Sequence, residues 1–198
     1  MQEKGGHNTG MKRIIIGISG ASGAIYGLRL LDMLRPLEDI ETHLVVSKAG
    51  WLTINYELGL SKDEVCARAD SVYRDNEIWA TIASGSFETE GMIIAPCSTK
   101  TLGAIASGYC ETLLARAADV CLKERHRLVL MVREAPLHLG HLRNMAKVTE
   151  YGGIIHPPVG TFYTGAKTIE DMVNESCARV LAGFNIKIRD YLFEWKGF

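Results

Sequence analysis

An arginine and a glutamate stand side by side at the end of an apolar segment, and this pair is the strongest candidate for chemistry in the chain. Arg133 and Glu134 directly follow Arg127–Val132, whose run of aliphatic residues predicts a buried strand. A guanidinium holds phosphate through two parallel hydrogen bonds, and a partly desolvated glutamate can transfer a proton during a reaction. The pair therefore indicates phosphate binding beside proton transfer, although a structural ion pair uses the same residue types.

Glycine and hydroxyl residues follow three other apolar segments, at positions where helices are expected to begin. Amide groups at a helix N-terminus are unpaired and the helix dipole is positive there, so such turns bind anions. The residues concerned are Gly20, Ala21, Ser22, Ser47, Ser98, Thr99, Lys100 and Thr101. Together with Arg133 they predict a phosphate-binding crevice, although serine and threonine also cap helices without any ligand.

The spacing of these residues favours a mononucleotide over a dinucleotide. The first turn reads G-x-x-G-x-x-G from Gly17, unlike the G-x-G-x-x-G of dinucleotide-binding proteins, and no G-x-x-x-x-G-K-[ST] motif occurs. The second predicted strand ends in Ser47-Lys48, where NAD-binding proteins place an acid for the ribose. A mononucleotide such as FMN fits both observations.

Four polar residues share one face of the helix expected from Glu111 to Glu124. Thr112, Arg116, Asp119 and Lys123 recur at helical spacing, opposite an apolar face. Periodicity alone favours a solvated outer face over a binding site.

The elements that must position these residues alternate between strands and helices, which predicts a single α/β domain with a three-layer, doubly wound parallel sheet of Rossmann-like or flavodoxin-like type. In such folds ligands bind at the carboxyl ends of the strands, where the candidates above lie. The predicted strands are 12–19, 41–46, 91–95, 127–132 and 153–156. The predicted helices are 22–35, 51–58, 61–69, 111–124, 139–151 and 169–182.

Composition narrows the class of function. The 198 residues include 22 Lys and Arg against 23 Asp and Glu, so the chain lacks the positive charge that nucleic acid or an anionic membrane would attract. The five cysteines form no C-x-x-C pair, and His138-x-x-His141 lacks the glutamate of H-E-x-x-H, so we expect reduced thiols and no metal site. No apolar run could span a membrane, and a cytoplasmic location is expected.

Six segments, in order along the chain, match motifs of one known family. They are S-G-A-S-G-A-x-Y-G-x-R-L-L (Ser19–Leu31), H-L-V-V-S-K-A (His43–Ala49), A-S-G-S-F (Ala83–Phe87), P-C-S-x-K-T-L (Pro96–Leu102), R-A-A-D-V-x-L-K-E (Arg116–Glu124) and V-R-E-A-P-L-H-L-G-H-L (Val132–Leu142). With P-P-x-x-x-F-Y (Pro157–Tyr163), the chain resembles the UbiX-type flavin prenyltransferases from Met11 to about Leu181.

This resemblance implies a homo-oligomer, often a dodecamer, with active sites at subunit contacts and no metal requirement. The implied reaction joins the dimethylallyl group of dimethylallyl monophosphate to a central-ring nitrogen and a neighbouring carbon of reduced FMN. The prenylated FMN then serves UbiD-type decarboxylases, which act in ubiquinone biosynthesis and aromatic acid decarboxylation. Residues 1–10 are expected to form a flexible leader, and 11–198 a flavoprotein domain with a C-terminal oligomerisation tail.

The resemblance also implies roles for individual residues. Those expected to bind FMN are Gly20, Ala21, Ser22, Ser47, Ser98, Thr99, Lys100, Thr101 and Arg133. Tyr163 and Arg179 would hold the prenyl phosphate, and Lys123 and Arg116 would neutralise it as it leaves. Glu134 would handle protons, Ser22 and Glu57 would lie near the reacting flavin, and Trp79 would cover the prenyl chain.

Two other functions use the same architecture. A non-catalytic FMN carrier or electron-transfer module would need only the phosphate-binding turns. A flavin enzyme that oxidatively decarboxylates a cysteine-containing substrate would need an asparagine motif, and neither Asn144 nor Asn174 stands in the required setting.

Overall fold

Six parallel strands form one sheet in the order β3-β2-β1-β4-β5-β6. The computed structural model describes residues 10–193, 195 and 197. The strands are β1 (Lys12–Ile18), β2 (Ile40–Val46), β3 (Ser71–Arg74), β4 (Gly91–Cys97), β5 (Arg127–Val132) and β6 (Ile154–Ile155). The helices are α1 (Ile25–Leu34), α2 (Lys48–Leu58), α3 (Lys62–Cys66), α4 (Thr99–Ser107), α5 (Leu113–Lys123), α6 (Leu139–Glu150) and α7 (Ile169–Ala182). Short 3-10 turns lie at Thr81–Ala83 and Phe162–Thr164.

The apolar run of β1 is buried on both faces of the sheet, as a central parallel strand requires. Ile14, Ile16 and Ile18 face a core that they share with α1 and α7. Ile15 faces the opposite core, which contains residues of α4, α5 and α6. Helices therefore cover both faces, and the three-layer, doubly wound prediction is confirmed.

The strand order reverses between β1 and β4, which opens a crevice at the carboxyl ends of these two strands. Ser19, directly after β1 and 1% exposed, joins the two sides of the crevice. Its hydroxyl donates to the carbonyl of Pro96 at 2.8 Å and accepts from the amide of Ser98 at 2.7 Å. A single buried side chain thus fastens the ends of both strands.

One strand escaped sequence analysis, and several boundaries differ from those expected. β3 has only four residues and lies at the sheet edge with its side chains alternately half-buried and exposed, so it carries no apolar run. The helix expected from residue 22 begins at Ile25, because Gly23 has a φ of +100°, outside the helical region. The helix expected from residue 51 begins at Lys48, capped by Ser47. The helix expected over 61–69 is helical only at 62–66.

The sequence predicts a leader at one end of the chain and a tail at the other, and the structure describes most of the tail but little of the leader. Residues 1–9 of the expected leader lie outside the described residues. After α7 the chain folds back on the domain, and Phe184 and Ile186 are buried in the core. No helix in the described part of the chain is both long and apolar enough to cross a membrane.

Candidate active site

A cavity of about 970 Å³ opens at the carboxyl ends of β1, β2, β4 and β5. All nine residues expected to bind FMN line this cavity, and Glu134 lines it as well. Because these residues come from four separate turns, only the doubly wound topology brings them together.

Two helices point their N-termini at this cavity. Ser47 caps α2 by accepting a hydrogen bond of 3.0 Å from the amide of Gly50. Ser98 caps α4 by accepting from the amide of Thr101 at 3.3 Å. The same residues therefore cap helices and line the cavity, and the positive ends of these two helix dipoles face the cavity.

The turn after β1 lies tightly against α2. A Cβ atom at Gly20 would lie 2.4 Å from the Cβ of Ala49, a distance that real side chains do not reach. The absence of a side chain at Gly20 thus allows the N-terminus of α2 to reach the end of β1.

Arg133, Ser22 and Glu57, which are far apart in sequence, form one cluster beside the cavity. The Nη1 atom of Arg133 donates to the carbonyl of Ser22 at 2.6 Å. The carboxylate of Glu57 accepts from the amides of Gly23 at 2.9 Å and Ala24 at 3.0 Å.

These contacts stabilise the charged form of Glu57. Burial raises the pKa of its carboxyl group, but the Ser22 hydroxyl, the two amides and the Arg133 charge outweigh burial and lower that pKa overall. The loop that would surround a flavin is therefore held by an ionised carboxylate on one side and a guanidinium on the other.

Glu134 stands next to this cluster and is exposed at the cavity wall. Its Oε1 atom accepts a hydrogen bond of 3.0 Å from the amide of Ala135. Within the described structure Arg133 and Glu134 form no ion pair with each other, so each is available to a ligand.

The residues expected to hold the leaving phosphate are not at the cavity of this chain. The N-terminus of α5 lines the cavity, but Lys123 lies at its other end, roughly 16 Å away at 1.5 Å per residue. At that end Lys123 pairs with Glu124. Arg116 is near the N-terminal end of α5 but does not line the cavity, and it pairs with Asp119 at 2.8 Å.

The residues expected to hold the prenyl phosphate also lie outside the cavity lining. Arg179 donates to the carbonyl of Phe193 at 2.9 Å. The ring of Tyr163 packs against Phe193 and Trp195, with centroids 5.7 and 5.3 Å apart. Trp79 is 78% exposed. One chain therefore assembles the expected flavin site but not the expected prenyl phosphate site.

Sequence analysis missed Asp75, which lines the cavity at the turn after β3. Its Oδ1 atom accepts from the amide of Leu114 at 2.9 Å, and its carbonyl accepts from the amide of Leu113 at 2.7 Å. Burial raises the pKa of this carboxyl group, against the hydrogen bonds of Leu114 and Thr112 and the charge of Lys100. Asp75 could be predicted only from its position directly after a strand, and β3 is not recognisable in the sequence because it has no apolar run.

Tyr109 and Glu111 also line the cavity and were not singled out from the sequence. The hydroxyl of Tyr109 donates to a carboxylate oxygen of Glu111 at 2.7 Å. The described residues include no group of three or more histidine, cysteine, aspartate or glutamate side chains that could hold a metal ion.

Comparisons of sequence place the chain in one family. The family model described as Flavoprotein matches residues 2–181. Flavin prenyltransferase UbiX of Escherichia coli (strain K12) is 54% identical over 188 residues, covering 94% of this chain and 100% of that protein. Flavin prenyltransferase UbiX of Thauera aromatica is 50% identical over 185 residues, covering 93% of this chain and 94% of that protein.

Comparisons of structure agree. The crystal structure of AnUbiX (PadA1) in complex with FMN and dimethylallyl pyrophosphate superposes with a TM-score of 0.91 and 47% identity, covering 94% of this chain and 98% of that one. A dodecameric FMN-dependent UbiX-like decarboxylase from Escherichia coli O157:H7 superposes with a TM-score of 0.91 and 44% identity. The match covers 93% of this chain and 100% of that one. The cavity is lined by all nine residues expected to bind FMN, and on the sequence and structure similarities the chain belongs to the UbiX family of flavin prenyltransferases.

Proposed function

We propose that this chain transfers the dimethylallyl group of dimethylallyl monophosphate to reduced FMN and so makes prenylated FMN. The observation that carries the proposal is the convergence of Ser22, Glu57 and Arg133 at the cavity wall, with Glu134 beside them. This arrangement provides a phosphate site and a proton-handling carboxylate at one crevice. The solved relative that holds FMN and dimethylallyl pyrophosphate supports the same pair of substrates.

The residues of the cavity fit the phosphate and ring of FMN. The cavity volume of about 970 Å³ lies at the upper end of the range for small-molecule sites. We assign the phosphate to the N-termini of α2 and α4, where Ser47, Ser98 and Thr101 lie, with the guanidinium of Arg133 nearby. Bound reduced flavin would supply a nucleophilic ring nitrogen and, beside it, a ring carbon.

The prenyl donor must lose its phosphate before or as the flavin is alkylated. The allylic carbon–oxygen bond breaks with both electrons on oxygen, and the phosphate leaves as a dianion. Without a divalent ion, fixed lysine and arginine side chains must stabilise that charge. We assign this task to Lys123 and Arg116, with Tyr163 and Arg179 binding the phosphate.

Since Lys123 lies at the far end of α5, and neither Lys123 nor Arg116 lines the cavity of its own chain, we propose that a second copy brings them to it. A site closed between copies would also exclude water from the allylic cation and align it with the flavin. A homo-oligomer is therefore part of the function, and the dodecameric relative supports that assembly.

Proton balance assigns a role to Glu134. The flavin nitrogen and the flavin carbon that are alkylated each lose one proton. One of these two protons is added to the middle carbon of the isoprenoid chain, and the second leaves with the phosphate. Glu134, exposed at the cavity wall, is placed to accept and return such a proton. The product would serve a UbiD-type decarboxylase in the cytoplasm, where the five thiols stay reduced.

The test combines protein, FMN reduced without oxygen and dimethylallyl monophosphate, followed by mass measurement of the extracted flavin. We expect a flavin heavier by one five-carbon isoprenoid unit, and a rate at least tenfold lower for Glu134→Gln at unchanged FMN affinity. An unchanged flavin mass under verified reducing conditions would reject the activity. Equal flavin binding and equal biological output from Glu134→Gln would instead favour the FMN carrier.

A further inference from the structure

Trp79 lies on a turn whose backbone is closed by its own hydrogen bonds. We call residues 75–80 the Trp79 turn. The amide of Glu77 donates to the carbonyl of Arg74 at 3.0 Å, and the amide of Ala80 donates to the carbonyl of Glu77 at 2.8 Å. The indole itself is 78% exposed, so its position depends on how the turn is attached to the domain.

One end of the turn is attached to α5. Asp75 accepts from the amides of Leu113 and Leu114 with its carbonyl and its carboxylate, at 2.7 and 2.9 Å. These amides belong to the first turn of α5, where no helical carbonyl is available to them. The start of the Trp79 turn is therefore fixed to a helix that lines the flavin cavity.

The other end is attached through side chains. Thr81, which directly follows the turn, has its Oγ1 atom 3.0 Å from the hydroxyl of Tyr73 on β3. The same Tyr73 hydroxyl lies 3.0 Å from the Nδ1 atom of His43 on β2. A chain of hydrogen bonds thus runs from the buried part of the sheet to the surface turn.

The surroundings of His43 set the direction of these hydrogen bonds. His43 is 3% exposed, and its ring meets the ring of Phe87 edge-on, with centroids 4.9 Å apart. Its Nε2 atom lies 3.3 Å from a carboxylate oxygen of Glu41, off the line of a regular hydrogen bond. A carboxylate there favours the proton on Nε2, which leaves Nδ1 to accept from Tyr73. The Tyr73 oxygen then accepts from Thr81.

We infer that Tyr73, oriented by His43, is a positioning residue that holds the Trp79 turn so that the indole covers the prenyl group. The inference rests on the proposed function and on the role that the family resemblance implies for Trp79, which is to cover the prenyl chain. The Tyr73 hydroxyl contacts an exposed threonine directly beside that turn, so this hydrogen bond extends beyond the packing of the sheet. Neither His43 nor Tyr73 is required to touch a substrate.

Two substitutions remove the attachment from opposite sides. Tyr73→Phe deletes the shared hydroxyl, and Thr81→Ala deletes its surface partner without disturbing the sheet. Thr81→Ser keeps the hydroxyl and should restore wild-type behaviour. Thr149→Ala is the matched control, because among the described residues that hydroxyl bonds to the carbonyl of Met145 in its own helix and to no other element.

The first measurement is amide hydrogen exchange followed by mass spectrometry. Loss of one neutral hydrogen bond should speed exchange in residues 74–84 about fivefold in Tyr73→Phe and Thr81→Ala, and leave residues 139–150 unchanged. Thr81→Ser and Thr149→Ala should exchange as wild type does.

The second measurement follows the fate of the allylic cation. Where the indole no longer excludes water, water captures the cation, giving dimethylallyl alcohol and a proton in place of prenylated flavin. We expect the ratio of alcohol to prenylated flavin to rise about fivefold in Tyr73→Phe and Thr81→Ala, with FMN affinity unchanged.

Unchanged exchange in residues 74–84 together with an unchanged product ratio in both variants would overturn the inference. Faster exchange with an unchanged product ratio would also overturn it, because Tyr73 would then hold the turn without serving the reaction. If wild-type protein forms no prenylated flavin, the proposed function fails, and the inference about covering the prenyl group fails with it, while the exchange data still report separately on the attachment.

Discussion

The guanidinium of Arg133 lies 2.6 Å from the carbonyl oxygen of Ser22, so the residue that directly follows β5 holds the loop that follows β1. The contact crosses the point where the strand order reverses. Arg133 therefore shapes the cavity wall in addition to its proposed role in binding phosphate, and a substitution of Arg133 should affect both.

Arg133→Lys should weaken FMN binding by about tenfold to a hundredfold, because a lysine cannot keep a hydrogen bond to Ser22 and also present a planar fork to phosphate. Titration of FMN fluorescence measures the affinity. Arg35→Lys, at the exposed C-terminal end of α1, is the control and should bind as wild type does. Equal FMN affinities of Arg133→Lys and wild type would show that Arg133 does not contribute to FMN binding.

Gly20→Ala should lower both stability and FMN affinity, since the new Cβ would lie 2.4 Å from the Cβ of Ala49 and push α2 away from the cavity. A shift of this size in a packed region costs about 1–3 kcal/mol of unfolding free energy. Gly103→Ala is the matched control, because its Cβ would meet only the Asn144 side chain at 3.6 Å inside α4. That variant should be neutral or more stable by up to about 1 kcal/mol in urea unfolding. Similar effects of the two substitutions would contradict the close approach at Gly20.

Lys123→Ala and Arg133→Ala should each abolish prenyl transfer, and oligomers containing both variants should recover part of it. If Lys123 of one copy acts in the cavity of another, about a quarter of the sites in an equal mixture combine both wild-type residues. The measurement is the activity of subunits mixed by unfolding and refolding together, with native mass spectrometry to verify the mixing. Mixed oligomers without activity would indicate that Lys123 and Arg133 of the same chain act together in one site.

The unfolding free energy should fall as pH decreases below about 6.5, the ordinary pKa of histidine. Burial lowers the pKa of His43, against the Glu41 carboxylate, and burial lowers the pKa of His156, against Glu175. Since the folded state binds these protons less readily than the unfolded state, their contribution is present above the unfolded-state pKa and is lost as pH falls.

Urea unfolding at several pH values and fixed protein concentration measures this dependence. His43→Gln should flatten the curve between about pH 7 and pH 5.5 relative to wild type. A slope unaffected by His43→Gln would mean that this ring does not resist protonation in the folded state.

The nine residues expected to bind FMN could be placed at one cavity from the sequence because they follow strands with strong apolar runs. Ser47 and Ser98 each come directly after such a strand, and the doubly wound topology places all such ends at one edge. β3 has no apolar run and owes its place to pairing with β2, so neither the strand nor Asp75 at its end could be found from residue pattern.

The positions of Lys123 and Arg116, which are expected to bind the leaving phosphate, could not be predicted from the sequence for a different reason. Lys123 shares a helix face with Arg116, which sequence periodicity records, but the direction of α5 carries Lys123 away from the cavity. Periodicity locates a residue around a helix and says nothing about which end of the helix meets the ligand. The contact between Tyr73 and Thr81 depends on tertiary geometry in the same way, because the two residues are eight positions apart across an irregular turn.

The hydroxyl of Ser19, at the end of β1, satisfies the carbonyl of Pro96 and the amide of Ser98, both at the end of β4. Widening the crevice would strand both backbone groups away from water, and such stranding is costly in a folded protein. The ends of β1 and β4 are accordingly held together before any ligand binds, so we expect a preorganised cavity, and we expect conformational changes during prenyl transfer to occur at the proposed contacts between copies.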